Sequence, residues 1–369
     1  MIYFDNAATT RINEKALEAL NKYSKECFGN PSTHYSIGVK AKRIMEQSRK
    51  KIATIIHSNS NEIIFTSGGT ESNNIALQSL LNNANEKSEI IVSSIEHSSI
   101  LNTVNRYSNL KVHYVKPNKD GIIDPDSIEK EINSNTYLII VQMINNEIGT
   151  IQPIKEISDG INNKGVFFHV DAVQAVGHID INVKELNITS LSASAHKFNG
   201  PKGIGFLYTK DPKMHLLYGG SQEQGIRPGT ENVPAIVSMS VALEEAMKNL
   251  KEKQDHILKM VRYIEKELIK IPFVSMNILN NAYHSIINLR VNNVSNEALL
   301  NVLDLKGVCV SAGSACDGKN FKKSHVLSSL GLSDKQIKES IRISLSFQNT
   351  MQESKNFVKI FKEIIERII

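Results

Sequence analysis

Short apolar runs punctuate this chain. Residues 63–66, 90–93, 137–143, 166–170 and 203–208 are each nearly continuously apolar, and residues 111–115 alternate. Runs this short fit strands better than helices, and apolar character throughout fits strands covered on both faces. Between the first two runs, residues 70–81 follow helical spacing. Strands alternating with helices predict an α/β fold class around a mostly parallel sheet.

The pattern changes after residue 235. Apolar residues then recur at spacings of three and four to about residue 268, which predicts long helical structure. The charged stretch 248–255 is either a solvated face of that helix or a short break in it. Beyond residue 270 come a strand-like run at 285–291, a helix at 296–305 and a strand at 308–311. This reads as a compact α+β unit. Residues 2–4 form a strand with no local partner, so they are expected to join it. The expected organisation is a large domain over 13–255 and a smaller one built from 1–12 and 256–369. A chain of 369 residues is long enough for two domains.

Composition narrows the class. Net charge is +5, but acidic and basic residues are interspersed, so no nucleic-acid partner is expected. Three cysteines, Cys27, Cys309 and Cys316, do not make a disulfide framework and fit a reducing compartment. The first residues carry Asp5 and no long apolar run, so no signal peptide is expected. No apolar stretch approaches the ~18 residues of a membrane span. The expected location is cytoplasmic.

Four segments carry candidate chemistry. In Ser67-Gly68-Gly69-Thr70-Glu71-Ser72, glycines let backbone approach a ligand and a helix begins. Free N–H groups there suit a phosphate; a plain turn capped by Thr70 fits as well. In His169-Val170-Asp171-Ala172-Val173-Gln174, an acid ends an apolar strand, where ligands of open α/β sheets bind. Asp171 either pairs with a protonated ring nitrogen or caps the turn; no third ligand near His169 and Asp171 suggests a metal. In Ser194-Ala195-His196-Lys197, the lysine after a strand is a candidate Schiff-base residue. A phosphate loop, then an acid, then a lysine is the set of parts that pyridoxal phosphate needs. In Val310-Ser311-Ala312-Gly313-Ser314-Ala315-Cys316, a cysteine sits among small residues, followed by Lys319, Lys322 and Lys323. Such a loop favours a thiolate, though an inert surface thiol fits too. Cys309, between Val308 and Val310, reads as a buried strand residue, and Cys27 as structural.

Taken together these segments resemble the NifS/IscS-type cysteine desulfurases, in the class V aminotransferase group of fold-type I pyridoxal-phosphate enzymes. The resemblance runs through Tyr3-Phe4-Asp5-Asn6-Ala7-Ala8-Thr9-Thr10, Phe28-Gly29-Asn30-Pro31-Ser32, Glu96-His97, Asn145-Asn146-Glu147-Ile148-Gly149, Arg227-Pro228-Gly229-Thr230-Glu231-Asn232 and the four segments above. It implies a cysteine desulfurase that converts L-cysteine to L-alanine, with Cys316 holding the sulfur as a persulfide. Lys197 would carry the cofactor and move the substrate α-proton. His97 would stack on the ring and serve in proton transfer. Asp171 would hold the pyridinium nitrogen, and Asn146 and Gln174 would lie by the phenolic oxygen. Thr70, Ser194, His196 and the backbone of Gly69 would bind the phosphate. Thr230 would reach the phosphate of a neighbouring subunit, which implies a homodimer. Arg342, assisted by Asn30, would clamp the substrate carboxylate.

The resemblance also frames the partner. From Cys316 to Ser324-His325-Val326-Leu327 the spacing is similar to the longer-loop subtype, whose cysteine visits an acceptor protein. The chain ends at Ile369, short of the tail that iron–sulfur-assembly members use to dock a scaffold. A transfer-RNA-thiolation enzyme therefore rivals an iron–sulfur scaffold as acceptor. A pyridoxal-phosphate aminotransferase, or a selenocysteine lyase without an obligatory persulfide, is the alternative activity.

Overall fold

The structure is a computed structural model that describes residues 1–162, 164–211, 214, 217–278, 285–313 and 323–368. Its largest sheet has seven strands: β2 (Ile63–Thr66), β3 (Glu89–Ser93), β4 (Lys111–Val115), β5 (Thr136–Ile140), β6 (Phe167–Asp171), β7 (Ser190–Ser194) and β8 (Gly205–Thr209). Their order across the sheet is β2-β8-β7-β6-β5-β3-β4. Burial on both faces explains the apolar runs. Along each strand, alternate side chains enter different cores. Ile91, Ile139, Val170 and Leu191 pack with the helices Ser36–Ile55 and Val233–Met247. Ile90, Val92, Leu138 and Ile140 pack instead with the helices Gly69–Leu81 and Ser98–Val104.

One strand departs from a parallel sheet. β8 runs antiparallel to both β2 and β7. The cause is the link before it. A parallel crossover needs about a dozen residues or more, usually a helix. The link from Ser194 to Gly205 holds only the 3-10 turn Ala195–Lys197 and a glycine turn with Gly203 at φ 77°. The chain therefore doubles back, and Lys197 sits on that doubling-back.

The remaining strands are β1 (Ile2–Tyr3), β9 (Val274–Met276), β10 (Ile286–Val291), β11 (Val308–Cys309) and β12 (Ser340–Ser344). β12, β10 and β9 form an antiparallel sheet, and β1 pairs in parallel with β11. Ile2 and Phe4 share a separate core with Leu289, Ile341, Phe357 and Phe361. The helical run predicted from residue 235 is two helices, Val233–Met247 and Leu250–Leu268. Asn249 breaks it at φ 53°, and the ammonium of Lys253 caps the carbonyls of Glu245 and Ala246. Most of the charged stretch is thus the first turns of the second helix. Among the described residues no helix is long and apolar enough to cross a membrane.

A buried ion pair fixes one irregular turn. Arg49 donates to both carboxylate oxygens of Glu223, at 2.8 and 2.6 Å, and to the carbonyl of Ile63. Phe65 N–H also donates to Glu223. Glu223 and Gln224 both adopt positive φ, at 48° and 62°, so the turn Gln222–Gly225 needs an anchor. Arg49→Met leaves the Glu223 carboxylate buried without its cation, and is expected to cost about 3–5 kcal/mol. Chemical denaturation measures this. The double variant with Glu223→Met should recover most of the loss; a single variant as stable as the wild type would show that the pair anchors nothing.

Candidate active site

The carboxyl ends of β2, β3, β5, β6 and β7 open on one cavity of about 120 Å³. It is lined by Gly69, Thr70, His97, Asn146, Asp171, Gln174, Ser194, His196, Lys197 and Arg342 among others. Ten of the residues singled out from sequence therefore share one space. Asn30 and Thr230 do not line it. Asn30 turns its side chain to the N–H of Ser32, and Thr230 is exposed, carried beyond the turn held by Arg49. Cys316 lies outside the described residues.

Helix Gly69–Leu81 begins at the cavity with no side chain capping its first N–H groups. A side chain at Gly69 would press its Cβ to 2.5 Å from Val173 Cγ2, and Gly68 takes φ 152°. Both glycines are thus required by space or conformation. Lys197 Nζ donates to the carbonyls of Ala7, at 2.5 Å, and Ala8, at 2.9 Å. Gln174 donates to the same Ala7 carbonyl. His178 lies within 2.9 Å of the Lys197 carbonyl through Nε2. His196 reaches Thr9 Oγ1, and burial, aided by Lys197 and Lys202, pushes its pKa down to about 4. It is neutral at physiological pH.

Asp171 is 2% exposed at the end of β6. Its Oδ2 accepts from Asn73 Nδ2 at 2.9 Å and its Oδ1 from the N–H of Val173 at 3.0 Å. Arg342, on β12, is 1% exposed. It donates to the carbonyl of Asn146 and pairs with Asp5 at 2.7 Å, while its Nε is buried without a partner. Among the described residues no group of three or more His, Cys, Asp or Glu is placed to hold a metal.

Asn73, which ends the matching segment 65–73, and Ser99 and Gln142 also line the cavity, though their residue types alone assign them no role. Asn73 lies three positions after Thr70 on one helix, and that spacing was the available signal. The carbonyls of Ala7 and Ala8 gave none, because backbone groups carry no residue identity. Cys309 is half-buried rather than buried, since β11 is an edge strand paired only with β1.

Glu96 is a further buried acid. It is 0% exposed, accepts from the N–H of Gln142 at 2.6 Å, and leaves Oε2 without a partner. Burial, with Asp171 nearby, raises its pKa to about 8. The folded protein thus keeps a proton that the unfolded chain releases near pH 4.5. Stability is lost as pH rises from about 4.5 to 8, by up to about 1.4 kcal/mol per unit. Glu96→Gln should remove that slope. Measured against the wild type by denaturation, its relative stability is expected to rise by about 2–4 kcal/mol between pH 5 and 8. Parallel pH curves would refute the assignment.

Comparison with known proteins gives the arrangement its context. The class-V aminotransferase family matches residues 2–357. A cysteine desulfurase IscS of Methanosarcina thermophila is 40% identical, with 100% of this chain and 92% of that protein aligned. A solved structure described as a NifS-like protein superposes with a TM-score of 0.93 at 34% identity, covering 99% of each chain. Another, SspA in complex with cysteine, has a TM-score of 0.84 at 34% identity and covers 95% of this chain and 100% of its own. With its mostly parallel sheet, its lysine on the β7–β8 link and these full-length matches, the chain belongs to the class-V aminotransferases, as a NifS/IscS-type cysteine desulfurase of the fold-type I class.

Proposed function

We propose that this cysteine desulfurase takes sulfur from L-cysteine with Lys197 holding pyridoxal phosphate and Cys316 receiving the sulfur. The observation that carries the reading is the convergence of Lys197, Asp171, His97, Arg342 and an uncapped helix start on one cavity. The donor set fits the cofactor. Thr70, Ser194, His196 and the free N–H groups of helix Gly69–Leu81 suit a phosphate. A buried carboxylate at Asp171 suits a protonated ring nitrogen. Bound there, pyridoxal phosphate supplies an electron sink for bond changes at the substrate's α-carbon.

The protein's own groups do the rest. Asp171 is fixed by two N–H donors, so its charge faces a set direction. Gln174 and Asn146 border the cavity from β6 and the loop after β5 and orient what lies between them. Arg342 offers the cavity a guanidinium that suits the cysteine carboxylate; its existing bonds to Asp5 and Asn146 hold the fork in place. The Lys197 amine carries the substrate α-proton. The Cys316 thiolate attacks the substrate sulfur; the carbon–sulfur bond breaks and a sulfur–sulfur bond forms. Cysteine plus the Cys316 thiol thus becomes alanine plus the Cys316 persulfide, and atoms balance. The related structure solved in complex with cysteine supports this substrate. On this reading Thr230, exposed beyond its anchored turn, serves a second subunit's site in a homodimer, and Asn30 assists Arg342 at the substrate. An iron–sulfur scaffold or a transfer-RNA-thiolation enzyme then takes the sulfur.

The separate core of Ile2, Phe4, Ile257, Leu289, Ile341 and Phe361 supports a domain division, although Val326, Leu327 and Ile337 pack into the larger core. Residues 13–255 would hold the cofactor, and 1–12 with 256–369 would carry the sulfur-bearing segment. A boundary at the Asn249 break avoids cutting helix Leu250–Leu268.

The test is product analysis. With cysteine and a reductant, alanine and sulfide should form in equal amounts. Pyruvate and ammonia, or a keto acid from transamination, would overturn the reading.

A further inference from the structure

Asn73 links Asp171 and, through Ser99, His97, both of which line the cavity. Its side-chain nitrogen lies 2.9 Å from Asp171 Oδ2 and 2.9 Å from Ser99 Oγ. Its oxygen lies 3.0 Å from His169 Nε2. A carboxylate only accepts, so the amide must turn its NH₂ toward Asp171. That orientation sets the three bonds that Asn73 itself makes. Both N–H bonds of Asn73 are spent, one on Asp171 and one on Ser99 Oγ. The Asn73 oxygen accepts from His169, so His169 carries its proton on Nε2, and Ser190, 2.8 Å from Nδ1, donates there. Burial lowers the His169 pKa to about 3, so this ring stays neutral and the arrangement is static.

The same logic reaches His97. Ser99 Oγ accepts from Asn73 with one of its two lone pairs, and its own proton can point to His97 Nδ1 at 2.8 Å. The backbone N–H of Ser99 also donates to Nδ1, at 3.1 Å, as the cap of helix Ser98–Val104. Two donors converge on one nitrogen. A proton on Nδ1 would oppose both.

We infer that Asn73 and Ser99 lock His97 as the Nε2–H tautomer, so that His97 meets its ligand as a hydrogen-bond donor. Asn73 is the positioning residue, tying the orientation of Asp171 to the tautomer of His97. Held so, Nε2 already bears its proton and offers no lone pair for another. This rests on the cavity being the cofactor site, but its test is separate from the desulfurase reaction.

The experiment is long-range ¹H–¹⁵N NMR of cofactor-loaded protein with ¹⁵N-histidine, His97 being assigned from the signals missing in His97→Gln. The expected pattern is a protonated Nε2 and an unprotonated, doubly hydrogen-bonded Nδ1. Asn73→Ala should shift the His97 Nδ1 resonance, because the Ser99 hydroxyl loses its donor and is free to reverse. If that variant does not fold, Ser99→Ala removes the hydroxyl alone and should shift the same resonance. A protonated Nδ1 in the wild type, or a His97 signal unmoved in the folded variants, overturns the inference. Loss of sulfide and alanine formation with an intact His97 pattern would instead fault the desulfurase assignment.

Discussion

Lys197→Ala is expected to lower alanine formation from cysteine by about 10⁴-fold, the upper range for removal of a single proton-transferring side chain. The loss has two sources. The amine that anchors the cofactor is gone, and so is the group that moves the α-proton. The fold should survive, because the side chain is half-buried and its contacts are to the carbonyls of Ala7 and Ala8. Far-ultraviolet circular dichroism should match the wild type while the visible band of lysine-linked cofactor disappears. Retained turnover in the folded variant would remove Lys197 from the chemistry. Lys197→Arg keeps the charge but not the nucleophile, and should be equally inactive.

Cys316→Ala is expected to abolish protein-bound persulfide and to cut sulfide release under reductant by at least about 100-fold, while the cofactor band remains. Comparison with the other two cysteines sharpens this. Cys27 is buried and Cys309 half-buried, and in both burial pushes the thiol pKa up. Neither is a good thiolate at neutral pH. Cys27→Ser and Cys309→Ala should therefore leave persulfide formation within a few-fold of the wild type. Labelled sulfur from cysteine, followed by peptide mass spectrometry, measures where it lodges. Label on Cys27 or Cys309 would transfer the role.

Five strands of the seven-stranded sheet were legible because they are buried on both faces; β4, partly exposed, showed as the alternation at 111–115, and β7, with serines at 190, 192 and 194, only as the run before Lys197. That burial writes itself as runs such as residues 137–143. The antiparallel β8 was not legible, since an apolar strand reads the same in either direction; only the short link after Ser194 betrays it. The site was legible where function demands a side-chain type. Asp171, Lys197 and the glycines before Thr70 each carry chemistry or conformation that few other residues supply. Asn73 was harder to see. It lines the cavity, but its importance lies in three partners, two brought from β6 and one from helix Ser98–Val104. Ala7 and Ala8 act through backbone, so their side chains say nothing of it.

The pairing of β1 with β11 has a consequence for how the protein is born. The carbonyls that meet Lys197 belong to a segment held by Asn6, whose amide bonds to the carbonyl of Ser344, 338 residues later. At a translation rate of about 5–20 residues per second, that segment waits roughly 20–70 s for its partner to emerge. The sheet strands near the cavity are all complete well before then. A nascent chain stalled ahead of β12 would thus display a nearly finished cavity with one wall missing, a stage at which chaperone capture would be most useful and premature cofactor loading least secure.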